Sequence, residues 1–421
     1  MNLYNSFNAM VTGINGHSMT IGILGAPINN GNMGCLALTY SLLAMLEEIA
    51  NDLGTVFTYY NFEGVEDPTK THILCRNLGI EEERVKSFNI YPVESFLGLC
   101  HRPHKVFGTF SALKECDLFI DLTQGDSFAD IYGDSVFNKN ANGKLLVEKV
   151  LKKPLILGPQ TYGPYQNKKN KEKAKRAIDK AALVIARDEA SMQYVKYFTD
   201  KKVYTTTDLA FILPYKSSGL NRSTTIEHAT TSEHFNIAVG VNVSGLLSKN
   251  KLETTPTEFH LKTDYDAYIE ALLSWLINAD YNVSIIPHVV ADYEYGRLIA
   301  EKFPRVKLVE MYQNPMDIKS KISEFDIFIG ARMHATIGAF SSGVATIPTA
   351  YSRKFNGLYE SVEYPYIVDL LNSSTEENLE MTKMYIKDYV KLKVAAEKSM
   401  EHINLLEEQT ISLLKEQIVK C

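Results

Sequence analysis

Short apolar runs alternate with segments of helical periodicity through the first half of the chain. Strands are predicted at the runs 21–25, 55–60, 116–122, 154–158 and 183–187. Helices are predicted at the strongly apolar segment 36–50 and at 140–151, 168–180 and 189–198. Because short apolar runs between helical segments are typical of parallel strands with helical crossovers, this half predicts one α/β domain.

The second half repeats the pattern after a polar break at residues 216–235, which predicts a linker. Strands are predicted at 237–243, 282–288, 306–310, 326–330 and 344–348, with helices at 264–280 and 292–303. From about residue 374 onward, apolar residues recur at helical spacing. Ser373 with Glu376 predicts a capping box at the start of these terminal helices.

These patterns predict an α/β fold with two doubly wound, Rossmann-like domains. The first domain is placed at 1–215, the linker at 216–235, the second domain at 236–370 and the C-terminal helices at 371–421. We expect the terminal helices to pack back on the first domain. A length of 421 residues agrees with two domains, because one core rarely serves so many residues.

Composition narrows the class of protein. The net charge is −6, from 44 basic and 50 acidic residues, which gives no general nucleic-acid footprint. No run of eighteen apolar residues occurs, so no membrane-spanning helix is expected, and the N-terminal segment lacks the pattern of a signal peptide. Met19 marks residues 1–18 as a candidate ragged extension. The five cysteines have no zinc-binding spacing, so we expect reduced thiols, no metal and a cytoplasmic protein.

The most informative chemistry lies in GARMHATIGAFSSGVATIPTAYSRKF, residues 330–355. This stretch follows a predicted strand and opens a predicted helix near His334, where helix N–H groups and the helix dipole favour an anion. Arg332, Arg353 and Lys354 add cationic groups. The stretch therefore predicts a site for a small, highly charged anion. The alternative is a strand–helix joint in which Arg332 only pairs with a core carboxylate.

Polar residues also follow the predicted strands of the first domain. The loop 25–34 contains Asn30 and Asn32 and either approaches a sugar or phosphate or forms a plain turn. Gln124 and Asp126 follow the strand 116–122. Asp126 is a candidate general base for a sugar hydroxyl, or else it caps the next helix.

Candidate ligand-binding residues also lie at the ends of three further predicted strands. Gln160 and Tyr162 lie in the turn 158–165, which lines a site or only turns the chain. Arg187 is the one charge in ALVIAR, and we expect it to face a ligand, with a buried Arg–Asp pair as the alternative. Asp188 is expected at a helix start. His288 closes the strand 282–288, where a structural role is the more common one. The basic segment 167–176 predicts a solvated helix face, with an anionic membrane surface as the alternative.

Six motifs in this order resemble those of the polysaccharide pyruvyl transferase family. They are NNGNMGCLAL, DLTQGDSFADIYG, LGPQTYGPY, ARDEAS, TTDLAFIL and the stretch 330–355. The resemblance covers about residues 20–365. The chain departs from the family pattern at Cys35, where many members carry an acidic residue, and at Gln124-Gly125-Asp126, where many carry a Gly-rich run.

The resemblance implies a fold like that of two-domain B-type glycosyltransferases, with the acceptor on the first domain and the donor on the second. It implies phosphoenolpyruvate as donor, a sugar or lipid-linked oligosaccharide as acceptor, and a pyruvate ketal as product. No cofactor is implied beyond this co-substrate. Such an enzyme is expected in the cytoplasm, with peripheral contact at the inner face of the membrane.

The resemblance also implies roles for particular residues. His334 is the candidate acid, or the group that stabilises the leaving phosphate, and Asp126 is the candidate base. The donor-binding candidates are Arg187, Arg332, Met333, Arg353 and Lys354. The acceptor-binding candidates are Asn30, Asn32, Gln124, Gln160, Tyr162 and His288.

Two other functions stay open at the level of sequence. A nucleotide-sugar glycosyltransferase of the same fold would need a carboxylate that grips the ribose, and Glu310 is available for that role. A non-catalytic carbohydrate-binding protein would not need Arg332 and His334 together.

Overall fold

The structure is a computed structural model that describes residues 18–64, 66–90, 103–217, 237–250, 252–253 and 259–421. The chain forms two compact units. Unit 1 comprises Met1–Asn30, Leu38–Leu209 and Leu405–Cys421, and unit 2 comprises Gly31–Ala37 and Ala210–Asn404. Most of the predicted N-terminal extension, residues 1–17, and most of the predicted linker, residues 218–235, lie outside the described residues.

Unit 1 is built on a parallel sheet of seven strands in the order β3-β2-β1-β4-β5-β6-β7. Its strands are β1 Ser18–Leu24, β2 Val56–Asn61, β3 Val85–Ser87, β4 Leu118–Asp121, β5 Leu155–Gln160, β6 Leu183–Ala186 and β7 Tyr204–Thr205. The helices are α1 Met33–Leu53, α2 Pro68–Leu78, α3 Pro103–Glu115, α4 Asp134–Leu146, α5 Lys168–Lys180 and α6 Glu189–Lys196. The strands read as apolar runs because the sheet is covered on both faces, and β4 and β6 are buried along their whole length.

Unit 2 has a parallel sheet of six strands in the order β10-β9-β8-β11-β12-β13. Its strands are β8 Ala238–Asn242, β9 Asn282–Ile285, β10 Lys307–Leu308, β11 Ile327–Gly330, β12 Ala345–Ala350 and β13 Val368–Asp369. The helices are α7 Tyr265–Asn278, α8 Val290–Lys302, α9 Pro315–Ile322, α10 Met333–Phe340, α11 Arg353–Ser361, α12 Thr375–Lys387 and α13 Tyr389–Val419. The last residues of α13, from Leu405 onward, belong to unit 1.

The strand order reverses once in each sheet. The reversal lies between β1 and β4 in unit 1 and between β8 and β11 in unit 2. In doubly wound sheets, ligands bind outside the carboxyl ends of the strands at this reversal. The loops after these strands are therefore the places to search for functional groups. They include the loop 25–32, of which 25–30 belongs to unit 1, the loop 122–133 in unit 1, and 243–250 and 331–332 in unit 2.

The predicted fold class is confirmed, and each strand predicted from the sequence appears within a few residues of its predicted place. The capping box is one residue later than predicted: Ser374 Oγ accepts from Glu377 N, and Glu377 accepts from Ser374 N. Ser373 N instead donates to Asp369 O at 3.3 Å and completes the preceding turn.

Among the described residues, one helix, α1, is long and apolar enough to cross a membrane by length and composition. Within its most apolar window, 78% of the residues are buried inside the protein. The core helix of a globular domain passes the same test, so this helix is weak evidence for a membrane span.

Candidate active site

In unit 2 the reversal point of the sheet carries Arg332 and His334. β11 ends at Gly330, which pairs with Asn242 at the end of β8. Asn242 Oδ1 accepts from Arg332 N at 2.8 Å, which fixes the strand–helix joint. Arg332 occupies the N-cap position of α10, with φ −94° and ψ 121°. The predicted anion-binding stretch thus lies where the topology favours a ligand.

Arg332 is held by two carboxylates. Its Nε donates to both oxygens of Asp292, at 3.2 and 3.1 Å, and its Nη2 donates to Asp292 Oδ1 at 2.7 Å and to Glu253. The Asp292 side chain is fully buried, and that of Arg332 is 13% exposed. Burial alone would lower the pKa of Arg332, but these carboxylates hold it above its ordinary value, so the guanidinium stays charged.

This pairing decides which part of Arg332 is available. Its Nε and Nη2 are occupied, and no hydrogen bond involves its Nη1 among the described residues. Arg332 therefore pairs with a core carboxylate, as the alternative from the sequence proposed, but it does so through only one edge of the guanidinium. The remaining edge is fixed in direction by the buried Asp292, and a pre-oriented cation of this kind suits anion binding.

His334 lies in the first turn of α10 and is half-buried. Its ring packs directly against Gly34, near the start of α1, where a Cβ would overlap the imidazole. Asn32 Oδ1 accepts from Gly34 N at 2.8 Å, and Asn32 O accepts from Leu36 N at 3.2 Å. Asn32, an acceptor-binding candidate from the sequence, therefore stabilises the first turn of α1. This turn contains Gly34, which packs against the His334 ring.

We expect a Gly34→Ala variant to displace His334 and lower turnover about tenfold, which corresponds to about 1.4 kcal/mol in the barrier. The new methyl group meets the imidazole rather than backbone, so the ring can move and the fold should be retained. Gly31→Ala is the matched control in the same loop, because a Cβ at Gly31 meets no atom within 4 Å. Equal rates in the two variants would contradict the packing role of Gly34.

His288 is buried rather than presented to an acceptor, with only 5% of its surface exposed. Its carbonyl accepts from Met33 N at 3.4 Å, and its own N–H donates to Asp292 at 3.3 Å. Burial lowers the pKa of His288 to about 3, aided by the nearby His334 and Arg332, so it stays neutral at neutral pH. This burial argues against direct contact of His288 with a sugar, and its acceptor role stays a prediction.

A small cavity of about 10 Å³ lies beside the His334 ring. It has room for about one water molecule. His288, His334, Met33 and Lys319 are among its lining residues. Lys319 is 2% exposed and donates to the carbonyls of Phe211 and Leu213 at 3.2 and 2.8 Å. Behind His334 the structure is therefore closely packed, and the Nε2 atom of the ring is buried there.

A second helix begins at the same edge of this sheet. β12 neighbours β11, and α11 starts with Arg353 and Lys354 just after β12 ends. Lys354 is half-buried. Met333, the first residue of α10, is half-buried too. The starts of α10 and α11 therefore lie at one edge of the sheet, and the donor-binding roles of their cationic residues stay a prediction.

Arg187 in unit 1 forms the buried Arg–Asp pair that the sequence left as an alternative. It is 3% exposed, and its Nη1 donates to Asp208 Oδ2 at 2.7 Å while its Nε donates to Thr161 at 2.8 Å. Burial opposes the charge, but Asp208, Asp126 and Asp188 raise the pKa of Arg187 above its ordinary value. Asp188 caps α6 as predicted, accepting from Ser191 N at 2.7 Å.

The turn after β4 is held in an unusual backbone conformation. Thr123, Gln124 and Gly125 all have positive φ, at 43°, 52° and 86°. A branched residue such as Thr123 rarely adopts this region. A Cβ at Gly125 would lie 2.9 Å from Arg187 Nη1, so only glycine allows this contact.

A buried ion pair stabilises this turn. Lys144 Nζ lies 2.9 Å from Asp121 Oδ2 and donates to Thr123 Oγ1 at 2.6 Å. Thr123 Oγ1 in turn donates to Asp121 Oδ2 at 2.6 Å. The side chains of Lys144 and Asp121 are only 1% and 3% exposed. The turn thus presents Gln124 and Asp126 from a fixed backbone.

Asp126 is half-buried, and its Oδ2 accepts from the Tyr132 hydroxyl at 2.7 Å. It does not cap the next helix, because α4 starts only at Asp134 with Gly133 at the N-cap position. It directly follows Gly125, whose backbone packs against the Arg187 guanidinium. The structure therefore brings together Asp126 and Arg187, two of the predicted site residues.

Two acceptor candidates are interior residues of unit 1. Gln160 is fully buried, and its Nε2 donates to the backbone oxygen of Asp121 at 3.1 Å. Tyr162 is 1% exposed, and its hydroxyl donates to Ile185 O at 3.2 Å. Burial argues against direct contact of either side chain with a sugar. Asn30 is half-buried and belongs to unit 1.

Sequence reasoning missed the partners that orient these groups, Asp292, Asp208, Asp121 and Lys144. Asp292, Asp208 and Lys144 lie between 21 and 40 residues from the residues that they hold, and Asp121 lies 23 residues from Lys144. The one available signal was a charged residue in an apolar setting, such as Asp121 at the end of LFID.

Solved structures with a similar fold define the class of protein. UDP-GlcNAc 2-epimerase from Neisseria meningitidis bound to UDP-GlcNAc is 14% identical, with a TM-score of 0.57 over 94% of this chain and 99% of that chain. A putative UDP-N-acetylglucosamine 2-epimerase from Listeria monocytogenes is 10% identical, with a TM-score of 0.55 over 90% and 91%. TarM is 11% identical, with a TM-score of 0.50 over 95% and 98%. The chain is thus an α/β protein of two Rossmann-like domains with the fold of B-type glycosyltransferases.

A match to a family model identifies the family within this fold class. The family model for polysaccharide pyruvyl transferase matches residues 32–353, and the chain belongs to this family. No curated protein matches the chain. Membership indicates a transferase of polysaccharide biosynthesis that transfers a pyruvyl group to a sugar or polysaccharide acceptor.

Proposed function

We propose that this protein transfers a pyruvyl group from phosphoenolpyruvate to two hydroxyls of one sugar, forming a cyclic ketal and releasing phosphate. The acceptor sugar belongs to a surface polysaccharide or its lipid-linked precursor. No cofactor takes part, and the enzyme works in the cytoplasm with peripheral contact at the membrane. The observation that carries the proposal is the edge of the unit 2 sheet, where α10 and α11 begin beside Arg332, His334 and Lys354.

The chemistry of the donor fits this edge. Phosphoenolpyruvate carries a carboxylate and a phosphate, so it needs several cationic donors and free N–H groups. Arg332 supplies its Nη1 edge, pre-oriented by Asp292. Arg353, Lys354 and Met333 complete the donor-binding set. In unit 1, Arg187 is buried and keeps its charge, and its assignment to donor binding stays a prediction.

The reaction needs a proton at one carbon and a nucleophile at the next. A proton adds to the methylene carbon of phosphoenolpyruvate, which gives oxocarbenium character at the adjacent carbon. One sugar hydroxyl attacks there and loses its proton, phosphate leaves as its C–O bond breaks, and the second hydroxyl attacks the same carbon, closes the ring and gives its proton to the released phosphate. We assign proton donation, or stabilisation of the leaving phosphate, to His334, and proton acceptance from the sugar to Asp126. Gln124 lies on the same strained turn and is assigned to the acceptor.

One assay tests the reaction directly. The protein is incubated with phosphoenolpyruvate and a panel of free and lipid-linked sugars, and phosphate release is followed together with the mass of each acceptor. Phosphate release coupled to a mass increase of one acceptor supports the proposal. Phosphate release without any acceptor product, or no consumption of phosphoenolpyruvate with any acceptor, contradicts it.

A nucleotide-sugar glycosyltransferase is the second candidate, favoured by the shared fold. Glu310, the residue available for a ribose, is exposed and accepts from the Tyr293 hydroxyl at 3.0 Å. Calorimetry with phosphoenolpyruvate and with UDP-sugars separates the two functions. Heat of binding from a UDP-sugar but not from phosphoenolpyruvate would favour the second.

We expect Arg332→Lys to weaken donor interaction by about 1.5–3 kcal/mol, seen as a raised KM for phosphoenolpyruvate. An ammonium group is a single point charge, so it cannot bind Asp292 and Glu253 and still present a second fixed edge to an anion. Arg297→Lys is the matched control, because Arg297 is half exposed and pairs only with surface glutamates. A KM for phosphoenolpyruvate that is the same in both variants would remove Arg332 from the donor site.

A further inference from the structure

A polar cavity lies in unit 1 outside the residues assigned so far. Its volume is about 120 Å³, and it opens at the carboxyl ends of β1, β2 and β3. Its described lining residues are Ile28, Asn29, Asn61, Glu63, Gly64, Asp67 and Ser87. These come from the loop after β1, the end of β2 and its following loop, the start of α2 and the end of β3. This is the edge at which doubly wound sheets bind ligands, beside the reversal between β1 and β4.

The side chains of the cavity are fixed by hydrogen bonds to backbone. Glu63 accepts from Gly25 N at 2.7 Å. Asn61 donates to Ala26 O at 2.6 Å and accepts from Glu63 N at 3.1 Å. These bonds join the loop after β1 to the loop after β2. The polar groups are therefore held in place before any ligand arrives, which lowers the entropy cost of binding.

The opposite wall is ordered in the same way. Asp67 caps α2 by accepting from Lys70 N at 3.1 Å, and its second oxygen accepts from Asn29 Nδ2 at 3.0 Å. Carboxylate, amide and hydroxyl groups thus face one space from several segments of chain. A binding pocket for a small polar molecule has this character, with a few fixed polar groups that set its orientation.

The charge of the lining selects the kind of ligand. Two carboxylates are present, and no Lys, Arg or His is among the described lining residues. Such a surface repels phosphate and carboxylate groups, so it does not suit phosphoenolpyruvate. Among the described residues no cluster of three or more acidic, His or Cys side chains suits a metal ion. Burial raises the pKa of the Glu63 carboxyl, which favours its pairing with neutral hydroxyl donors.

We propose that this cavity binds one sugar unit of the acceptor glycan, with sugar hydroxyls donating to Glu63 and Asp67 and hydrogen-bonding to Asn29 and Ser87. The ligand class is a neutral polyol. The proposal rests on the proposed function in one respect, namely that a glycan is the acceptor of the reaction. It gives the acceptor a contact surface that Gln160, Tyr162 and His288 do not provide, because those side chains are buried.

The test uses the intact protein and simple glycosides as probes, without phosphoenolpyruvate. Saturation-transfer NMR is recorded with the methyl pyranosides of galactose, glucose, mannose and N-acetylglucosamine. We expect at least one glycoside to bind, and Glu63→Gln to weaken its binding at least about tenfold, as for the loss of a hydrogen bond to a charged group. Glu66→Gln is the matched control, because Glu66 is exposed, lies three residues away and does not line the cavity.

A second variant guards against a change in folding. A Cβ at Gly64 meets no atom within 4 Å, so Gly64→Leu is expected to fold and to fill part of the cavity. We expect it to block glycoside binding while its melting temperature stays close to that of the wild type. Glycoside binding that survives both Glu63→Gln and Gly64→Leu would overturn the proposal, as would the failure of every glycoside to bind. Displacement of a bound glycoside by micromolar calcium would identify a cation site instead and overturn it too.

Measurements of phosphoenolpyruvate binding distinguish a failure of the sugar site from a failure of the proposed function. Glu63→Gln should bind phosphoenolpyruvate with unchanged affinity by calorimetry, because the cavity has no role at the donor. If phosphoenolpyruvate does not bind the wild type but a glycoside binds in a Glu63-dependent way, the proposed donor fails and the sugar site stands. If pyruvyl transfer occurs with the same acceptor KM in Glu63→Gln and the wild type, the sugar site fails and the proposed function stands.

Discussion

A His334→Gln variant should fold, bind phosphoenolpyruvate and turn over at least roughly a hundredfold more slowly than the wild type, as expected for loss of a general acid. Glutamine retains a polar side chain of similar reach, but it cannot donate a proton and take it back near neutral pH. His334 is half-buried and lines a packed cavity, so glutamine, a polar side chain of comparable size, should preserve the packing around it. Steady-state rates and calorimetry with phosphoenolpyruvate measure the two effects separately.

His72→Gln provides the control for this variant. His72 is more than half exposed and pairs with Glu82 on the surface of unit 1, so its loss should leave the rate unchanged. If His334→Gln keeps most of its rate, the acid lies elsewhere. If the variant turns over at the wild-type rate with saturating phosphoenolpyruvate but binds phosphoenolpyruvate more weakly, His334 serves binding alone.

The geometry around His334 also predicts how two variants combine. Gly34→Ala acts only by moving the imidazole, so it should cost little further rate when His334 is already glutamine. Residues that act through one group show this kind of non-additivity. Independent losses in the double variant would mean that Gly34 affects the reaction by another route.

The fold was predictable because its strands are buried on both faces and therefore stand out as apolar runs. β4, β6 and β11 are fully buried and were placed within three residues of their true ends. The strands β3, β7 and β13 were not predicted; each has two or three residues, although β10, with two, was predicted within the apolar run 306–310. The short helices α9 and α11 were not predicted either, whereas α6 and α10, each with eight residues, were predicted directly after strands.

The site was predictable only in part, for a different physical reason. Strand ends and small residues show where a ligand could approach, so Arg332, His334 and Asp126 could be chosen as candidates from the sequence. Pairing depends on distant parts of the chain, and Asp292 and Asp208 give no sign in the sequence of the arginines they hold. Glu63 was not among the candidates because its loop shows neither periodicity nor a motif, although it lines a cavity at the carboxyl ends of the neighbouring strands.

Lys144→Met should lower the free energy of unfolding by about 3–5 kcal/mol, because it leaves the Asp121 carboxylate buried without its partner. The ammonium also donates to Thr123 and lies 4.4 Å from the centre of the Phe128 ring. Its loss frees the strained turn, so we expect the acceptor KM to rise as well. Denaturant unfolding measures the first effect and steady-state kinetics the second.

Lys139→Met is the matched control on the same helix, because Lys139 is exposed and its replacement should change the free energy of unfolding by no more than about 0.5 kcal/mol. Adding Asp121→Asn to Lys144→Met removes the unpaired charge and should recover part of the lost stability. The acceptor KM should stay high in that double variant, because an Asn at 121 cannot replace the ionic contact that fixes Thr123. If the acceptor KM recovers together with the stability, the ion pair only stabilises unit 1. If Lys144→Met lowers the free energy of unfolding by less than about 1 kcal/mol, Lys144 and Asp121 do not form a buried ion pair.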